Sequence, residues 1–278
     1  MKYRILFIIV IISGIQLQAV DVFFENASTI QGGAITAWIK DNGDLIDHKL
    51  FYRGKYYPVF PAGKNTWRAI IGTDVNTPPK TYPVFYKGIK NNSLIGGTIE
   101  LISIIKGKFP LSVIQIPTSK KSLAEPSQIM SEAAIIGSIF KGVTSQQYWE
   151  GKFQWPVKGS VTTPYGAARI YDNGELSWWH KGVDIYNIEG TPVVAPNSGQ
   201  VVLSKDFSSH GKTIILDHGQ TVYSVFNHLS QRLVNTGDFV QTGQIIGKLG
   251  STGIATGPHL HWGLSVGNVR VNPLLWLQ

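Results

Sequence analysis

GTPVVAPNSGQVV at residues 190–202 and GDFVQTGQIIGKLG at residues 237–250 are two versions of one pattern. Each sets apolar residues on either side of a turn and places a glycine ahead of a second apolar run, which reads as a repeated β-hairpin. From Phe153 onward the chain keeps to short strands and tight glycine turns. The spacing predicts an antiparallel β domain over 153–278.

Outward from that core, the stretch from Asp21 to Ile116 carries its own strand-sized runs: KLFYR at 49–53, YYPVF at 56–60, WRAII at 67–71, TYPVFY at 81–86 and GTIELISII at 97–105. Asn42-Gly43, Pro61-Ala62-Gly63 and Pro78-Pro79 mark turns between them. Regular short strands with turn signals predict a β-sandwich over 20–116. Residues 117–152 differ. A Ser/Lys-rich start leads to Pro126, then Ile129, Ala133, Ile136 and Phe140 at helical offsets, which predicts a short amphipathic helix in a connector. The fold class expected is therefore mainly β, in two domains joined by a helical linker.

The first nineteen residues place Lys2 and Arg4 before an apolar run from Ile5 to Ile15, with Gln16, Gln18 and Ala19 after it. This is the layout of an export signal cleaved after Ala19; its apolar run is shorter than the ~20 residues of a bilayer span. An uncleaved anchor is the alternative. The chain of 278 residues carries a net charge of +8, and +6 without Lys2 and Arg4. An exported basic protein meets anionic wall polymers and lipid head groups, and nucleic acid is not an expected partner. There are no cysteines, which excludes disulfide frameworks, thiolate nucleophiles and cysteine-ligated metals.

The chemistry must then rest on His, Asp, Glu, Ser or the backbone, and six of the seven histidines lie beyond Phe153. HKGVD sets His180 and Asp184 four apart, NHLS carries His228, and GPHLHW carries His259 and His261. Residues two apart on a strand share a face, so His259 and His261 present adjacent imidazoles. Such a pair serves as two neutral metal ligands, or as a ligand beside a base. With His180 and Asp184 the set supplies the N and O donors of a catalytic zinc site. There is no HExxH, so the glutamate base of helix-borne zinc proteases is absent. His48 stands alone, His210 in SSHGKT reads as an exposed turn residue, and His218 in DHG as a brace at a strand end. Trp178 and Trp179 read as core or as groove wall.

In this order, HKGVD, DHG at 217–219, NHLS, GDFVQTGQIIGKLGSTG and GPHLHW resemble the LytM/lysostaphin-type zinc metalloendopeptidases that cut peptide bonds in peptidoglycan. The resemblance covers residues 153–278. It implies an antiparallel β-sheet and hairpin barrel with a Zn²⁺ at the floor of a groove. It also implies His180, Asp184 and His261 as zinc ligands, and His228 and His259 as non-ligand catalytic histidines. PVKGSVTTPYGAAR at 156–169 resembles the family's entry strand, with Tyr165-Gly166 at its turn; an extra Ala before Arg169 leaves that arginine without an expected role. The N-terminal sandwich resembles the immunoglobulin-like accessory domain of some members.

This set of residues permits zinc-assisted amide hydrolysis. His259 is expected to take the proton of the attacking water, with His228 stabilising the oxyanion or protonating the leaving amine. The alternative is a non-catalytic wall-binding or amidase-activating module on the same fold. Degenerate members of the family lose ligand residues, whereas all five positions are retained here.

Overall fold

The computed structural model describes residues 20–43, 45–90, 93–171 and 176–277; the expected export signal over 1–19 lies outside the described residues. The chain divides into two compact units that meet between Gly107 and Lys108.

The first unit is a sandwich of two sheets. One runs Asp21–Phe24, Ala34–Lys40, Thr66–Gly72, Phe60–Gly63, and the other Ser28–Ile30, Ser93–Ile105, Thr81–Lys90, Ile46–Tyr52, Lys55–Tyr57. Alternation does the work. Along Ala34–Lys40 every second residue is buried, and Ile35, Ala37 and Ile39 meet Leu50, Tyr52, Val84, Tyr86, Ile102 and Ile104 from the facing sheet. His48 is not isolated within this unit. Its Nδ1 lies 2.7 Å from the Tyr86 hydroxyl and its ring 4.1 Å from that of Trp67.

The second unit is built on an eight-stranded sheet. Its path is Ser160–Thr163, Val183–Tyr186, Leu260–Val266, Val222–Leu229, Gly211–Gly219, Gly199–Phe207, Phe239–Val240, with Val269–Val271 pairing Leu260–Val266 off the path. The central neighbours are antiparallel.

Three expectations are corrected here. The two repeated stretches do not each close a hairpin. Pro192–Val194 of the first pairs with Ile245–Lys248 of the second, and Gly199–Phe207 of the first pairs with Phe239–Val240 of the second. Glycine turns mark where a strand stops, but they leave its partner open. The division also falls ahead of residue 116, because Leu111–Ile114 pairs in parallel with Ala168–Tyr171 and so belongs to the second unit.

The third correction concerns the helix α1 (Pro126–Ile139), which starts with proline in its first turn. It is part of the second unit's core. Ile136 and Phe140 pack with Phe207, Ile215, Tyr223 and Val225. Ala133, expected on the apolar face, is exposed, and Glu132 is buried in its stead. Among the described residues no helix is long and apolar enough to cross a membrane.

Candidate metal centre

Strand register brings the key side chains together. Asp184 lies directly opposite His261, and His261 directly opposite Asn227, across three adjacent strands. Leu260 and Trp262, the alternate positions of the HLHW run, are fully buried. His180 is held just before the Val183–Tyr186 strand by a reciprocal clasp: its N–H donates to Ala167 at 2.9 Å, and its carbonyl accepts the Gly166 N–H at 2.8 Å. Two glycines make this geometry possible. Gly166 has φ +78°, and a Cβ there would lie 2.2 Å from the Phe109 ring. A Cβ on Gly182 would stand 2.8 Å from the His261 imidazole, so only a hydrogen fits where strand and ring meet.

Three donor atoms converge. His180 Nε2 is 2.9 Å from Asp184 Oδ1 and 2.9 Å from His261 Nδ1, and His261 Nδ1 is 2.8 Å from Asp184 Oδ1. His180 Nδ1 lies 2.9 Å from the Pro164 carbonyl. A carbonyl only accepts, so Nδ1 carries the hydrogen and Nε2 its lone pair. The His180 Nε2 lone pair, His261 Nδ1 and a carboxylate oxygen thus face each other within 2.9 Å, an arrangement that suits a cation among them. Two nitrogens and one oxygen match the donors of an open zinc site. Electrostatics agree. Burial opposes ionisation of Asp184, but the neighbouring His180 and His261 hold its carboxyl well below the usual range. Burial lowers His180 and carries His261 down to about 3. A charged carboxylate with neutral imidazoles is the protonation state that ligation requires.

Arg169 is the residue that sequence reasoning left without a role. Its Nη2 donates to Asp184 Oδ2 at 2.7 Å, fixing the oxygen that does not face the imidazoles. Only its spacing within PVKGSVTTPYGAAR could have flagged it, and the extra alanine obscured that signal.

The remaining two histidines stand beside the cluster. His259 Nε2 is 3.9 Å from Asp184 Oδ1, and the rings of His228 and His259 are 4.9 Å apart. Both have Nδ1 turned to a carbonyl, Thr252 for His228 at 2.8 Å and Gly257 for His259 at 2.9 Å. Each therefore presents an Nε2 lone pair. Burial, reinforced by the neighbouring imidazoles, lowers the His228 pKa well below its ordinary value. His228 also has φ +64°, a left-handed conformation that costs a non-glycine residue roughly 1–3 kcal/mol and is concentrated at functional sites.

Two other histidines lie apart from this group. His218 is fully buried, bridging the Ser198 carbonyl and the Ser224 hydroxyl at 2.8 Å each, which is a bracing role. His210 is not the exposed turn residue expected: it is half-buried with Nδ1 2.7 Å from Glu132 Oε2. Trp178 is exposed, and Trp179 lies against Phe109 with ring centroids 6.0 Å apart.

Comparison with protein families matches residues 179–273 to peptidase family M23. The chain is 40% identical over 94 residues to the peptidoglycan DD-endopeptidase ShyC of Vibrio cholerae, covering 34% of this chain and 22% of that protein. It is 34% identical over 127 residues to the murein hydrolase activator EnvC of Escherichia coli, covering 46% and 29%. With the lipoprotein YgeR of Escherichia coli the identity is 30% over 182 residues, covering 65% and 67%. The crystal structure assigned to peptidase M23 from Pseudomonas aeruginosa superposes with a TM-score of 0.65 at 27% identity, over 89% of this chain and 94% of that one. The chain spans less than a third of the length of ShyC and of EnvC. It belongs to peptidase family M23.

Proposed function

We propose that this M23 chain is an exported zinc-dependent endopeptidase that cuts peptide cross-links of bacterial peptidoglycan. The observation that carries the reading is the convergence of His180 Nε2, His261 Nδ1 and Asp184 Oδ1 within 2.9 Å, with two further imidazoles beside them. The kinship with a peptidoglycan DD-endopeptidase supports the substrate class. The basic charge suits an anionic wall, and the signal-like start suits export.

His180, Asp184 and His261 would hold the zinc. When bound, the metal supplies Lewis-acid activation of a water and of the scissile carbonyl. His259 presents Nε2 3.9 Å from Asp184 Oδ1, so it accepts the proton of the attacking water. His228 acts on the other side of the bond. Its Nδ1 hydrogen is committed to Thr252, so it donates to a leaving amine only after its Nε2 has received the proton that His259, whose ring is 4.9 Å away, drew from the water. Burial lowers the His228 pKa, so the ring holds that proton only in passing. Arg169 keeps Asp184 in place through Oδ2.

The kinship with a murein hydrolase activator favours one second reading, a non-catalytic module of the same fold. One variant series separates the two. Purified full-length chain and its variants are assayed for zinc stoichiometry and for mass-identified fragments released from defined muropeptides. His261→Ala and Asp184→Ala should lose both metal and turnover. His228→Ala and His259→Ala should keep most of the metal and lose on the order of 10² to 10⁴ in rate. A zinc-loaded wild-type chain that releases nothing from muropeptides or sacculi would establish the activator reading. Loss of zinc in His259→Ala would make that residue a ligand.

We further propose that the first unit places the catalytic unit on the wall. Residues 108–278 should then match the longer chain on soluble muropeptides but fall behind it on intact sacculi; equal rates on both would refute this.

A further inference from the structure

Nothing in the proposed reaction uses Glu132, a carboxylate only 2% exposed on α1. Its two oxygens are saturated. Oε1 accepts from the N–H groups of Ser208 at 2.8 Å and Ser209 at 3.0 Å and from Gln128 Nε2 at 2.9 Å. Oε2 accepts from the N–H groups of Ser209 at 3.1 Å and His210 at 3.0 Å, and lies 2.7 Å from His210 Nδ1. Three successive backbone N–H groups are thus gathered on one buried acid, which locks the turn they belong to.

That turn touches His228 from two directions. The His210 carbonyl accepts the His228 N–H at 3.1 Å, at the residue whose backbone is left-handed. The Ser209 carbonyl accepts the Ile254 N–H at 2.8 Å, in the loop whose Thr252 carbonyl takes the His228 Nδ1 hydrogen at 2.8 Å. Lys120, from the same preceding segment, caps that loop by donating to the Ser251 and Ala255 carbonyls at 2.6 and 2.8 Å. Both the backbone and the ring of His228 are therefore anchored to structure that Glu132 holds.

We propose that Glu132 is a positioning residue for His228: it fixes the 208–210 turn, and through it the backbone and imidazole orientation of that histidine. The inference rests on the proposed role of His228 in hydrolysis. Removing the carboxylate strands three N–H donors, frees the turn, and lets His228 leave the conformation that aims Nε2 at the site. A displacement of about 1 Å at a reacting group costs on the order of 10² in rate.

The test uses the zinc-loaded full chain. In Glu132→Ala the hydrogen-exchange protection of the His228 amide should fall at least about tenfold and its imidazole NMR signals should shift, while Asp184, two strands away across Leu260–Val266, is unchanged. Zinc content should hold, KM should stay within about twofold, and kcat should drop by roughly 10- to 100-fold. Glu132→Gln, which keeps the volume and one acceptor oxygen, should recover part of each loss and serves alone if the alanine variant does not fold. In a His228→Ala background, removing Glu132 should cost no further rate. Unchanged protection and ring signals at His228 would overturn the proposal, as would an equal loss of rate in that background. A wild-type chain without hydrolytic activity would refute the functional reading instead, and the exchange and NMR measurements would still decide whether Glu132 orients His228.

Discussion

Arg169 donates to one oxygen of Asp184 while the other faces two imidazoles, so the carboxylate is held at both ends. Arg169→Ala leaves Oδ2 without that donor and lets the carboxylate rotate. Loss of such a partner behind a metal ligand lowers metal affinity by roughly 10- to 100-fold. Competition with a chromophoric chelator should show this loss with the fold intact, and an unchanged affinity would remove the role assigned to Arg169. His218 makes a prediction about stability. Burial lowers its pKa from 6.5 to about 4, so below neutrality the unfolded chain takes up the proton first. The sign follows: stability contributed by the neutral ring is present at pH 7, falls as pH drops through 6.5, and stops falling below about 4. Between pH 7 and pH 5 the loss amounts to about 2 kcal/mol. Urea unfolding of His218→Gln should show a correspondingly shallower fall over that interval than the wild type; parallel curves would mean that the ring is protonated in the native state.

At the scale of elements, α1 is decided by which face it buries. Helical offsets mark Ile129, Ile136 and Phe140 correctly as inward or partly inward positions, but they also choose Ala133 over Glu132. A hydrophobic pattern has no means of placing a carboxylate inside, because burial of that charge depends on donors from residues 208–210, far away in sequence. Those hydrogen bonds and His210 outweigh the upward push of burial and take the Glu132 pKa to about 2. The consequence for substitutions is asymmetric. Ile136→Ala should cost about 2–5 kcal/mol through the cavity it leaves against Ile215 and Val225. Ala133→Gln, on the exposed side, should stay within about 0.5 kcal/mol. Denaturant unfolding of both variants checks the orientation of the helix; a large loss at Ala133 would place the buried face where the sequence pattern alone puts it.

On the whole-molecule scale, the second unit begins before its motifs do. Leu111–Ile114 supplies a strand beside Ala168–Tyr171, and α1 covers Phe207, Ile215, Tyr223 and Val225. A fragment of residues 153–278 contains every motif of the family yet exposes that apolar surface. It should therefore be markedly less soluble and less stable than residues 108–278, by the several kcal/mol that burial of Ile136 and Phe140 represents. Thermal unfolding of the two fragments decides this, and equal midpoints would return 111–140 to the status of a linker.

The sequence by itself determined the β class of both units, the turn positions and the residue types gathered at the site. Each of these is written in spacing of one to four residues: alternation for a strand, H-x-H for two rings on one face, glycine where a Cβ has no room. Only the tertiary structure decided which strands of the two repeated stretches pair, that Arg169 reaches Asp184, and that Glu132 turns inward onto the 208–210 turn. Those outcomes join residues from 15 to 78 positions apart. They depend on which groups meet across the fold, and hydrogen bonds between distant strands and loops leave no periodic trace in the chain that forms them.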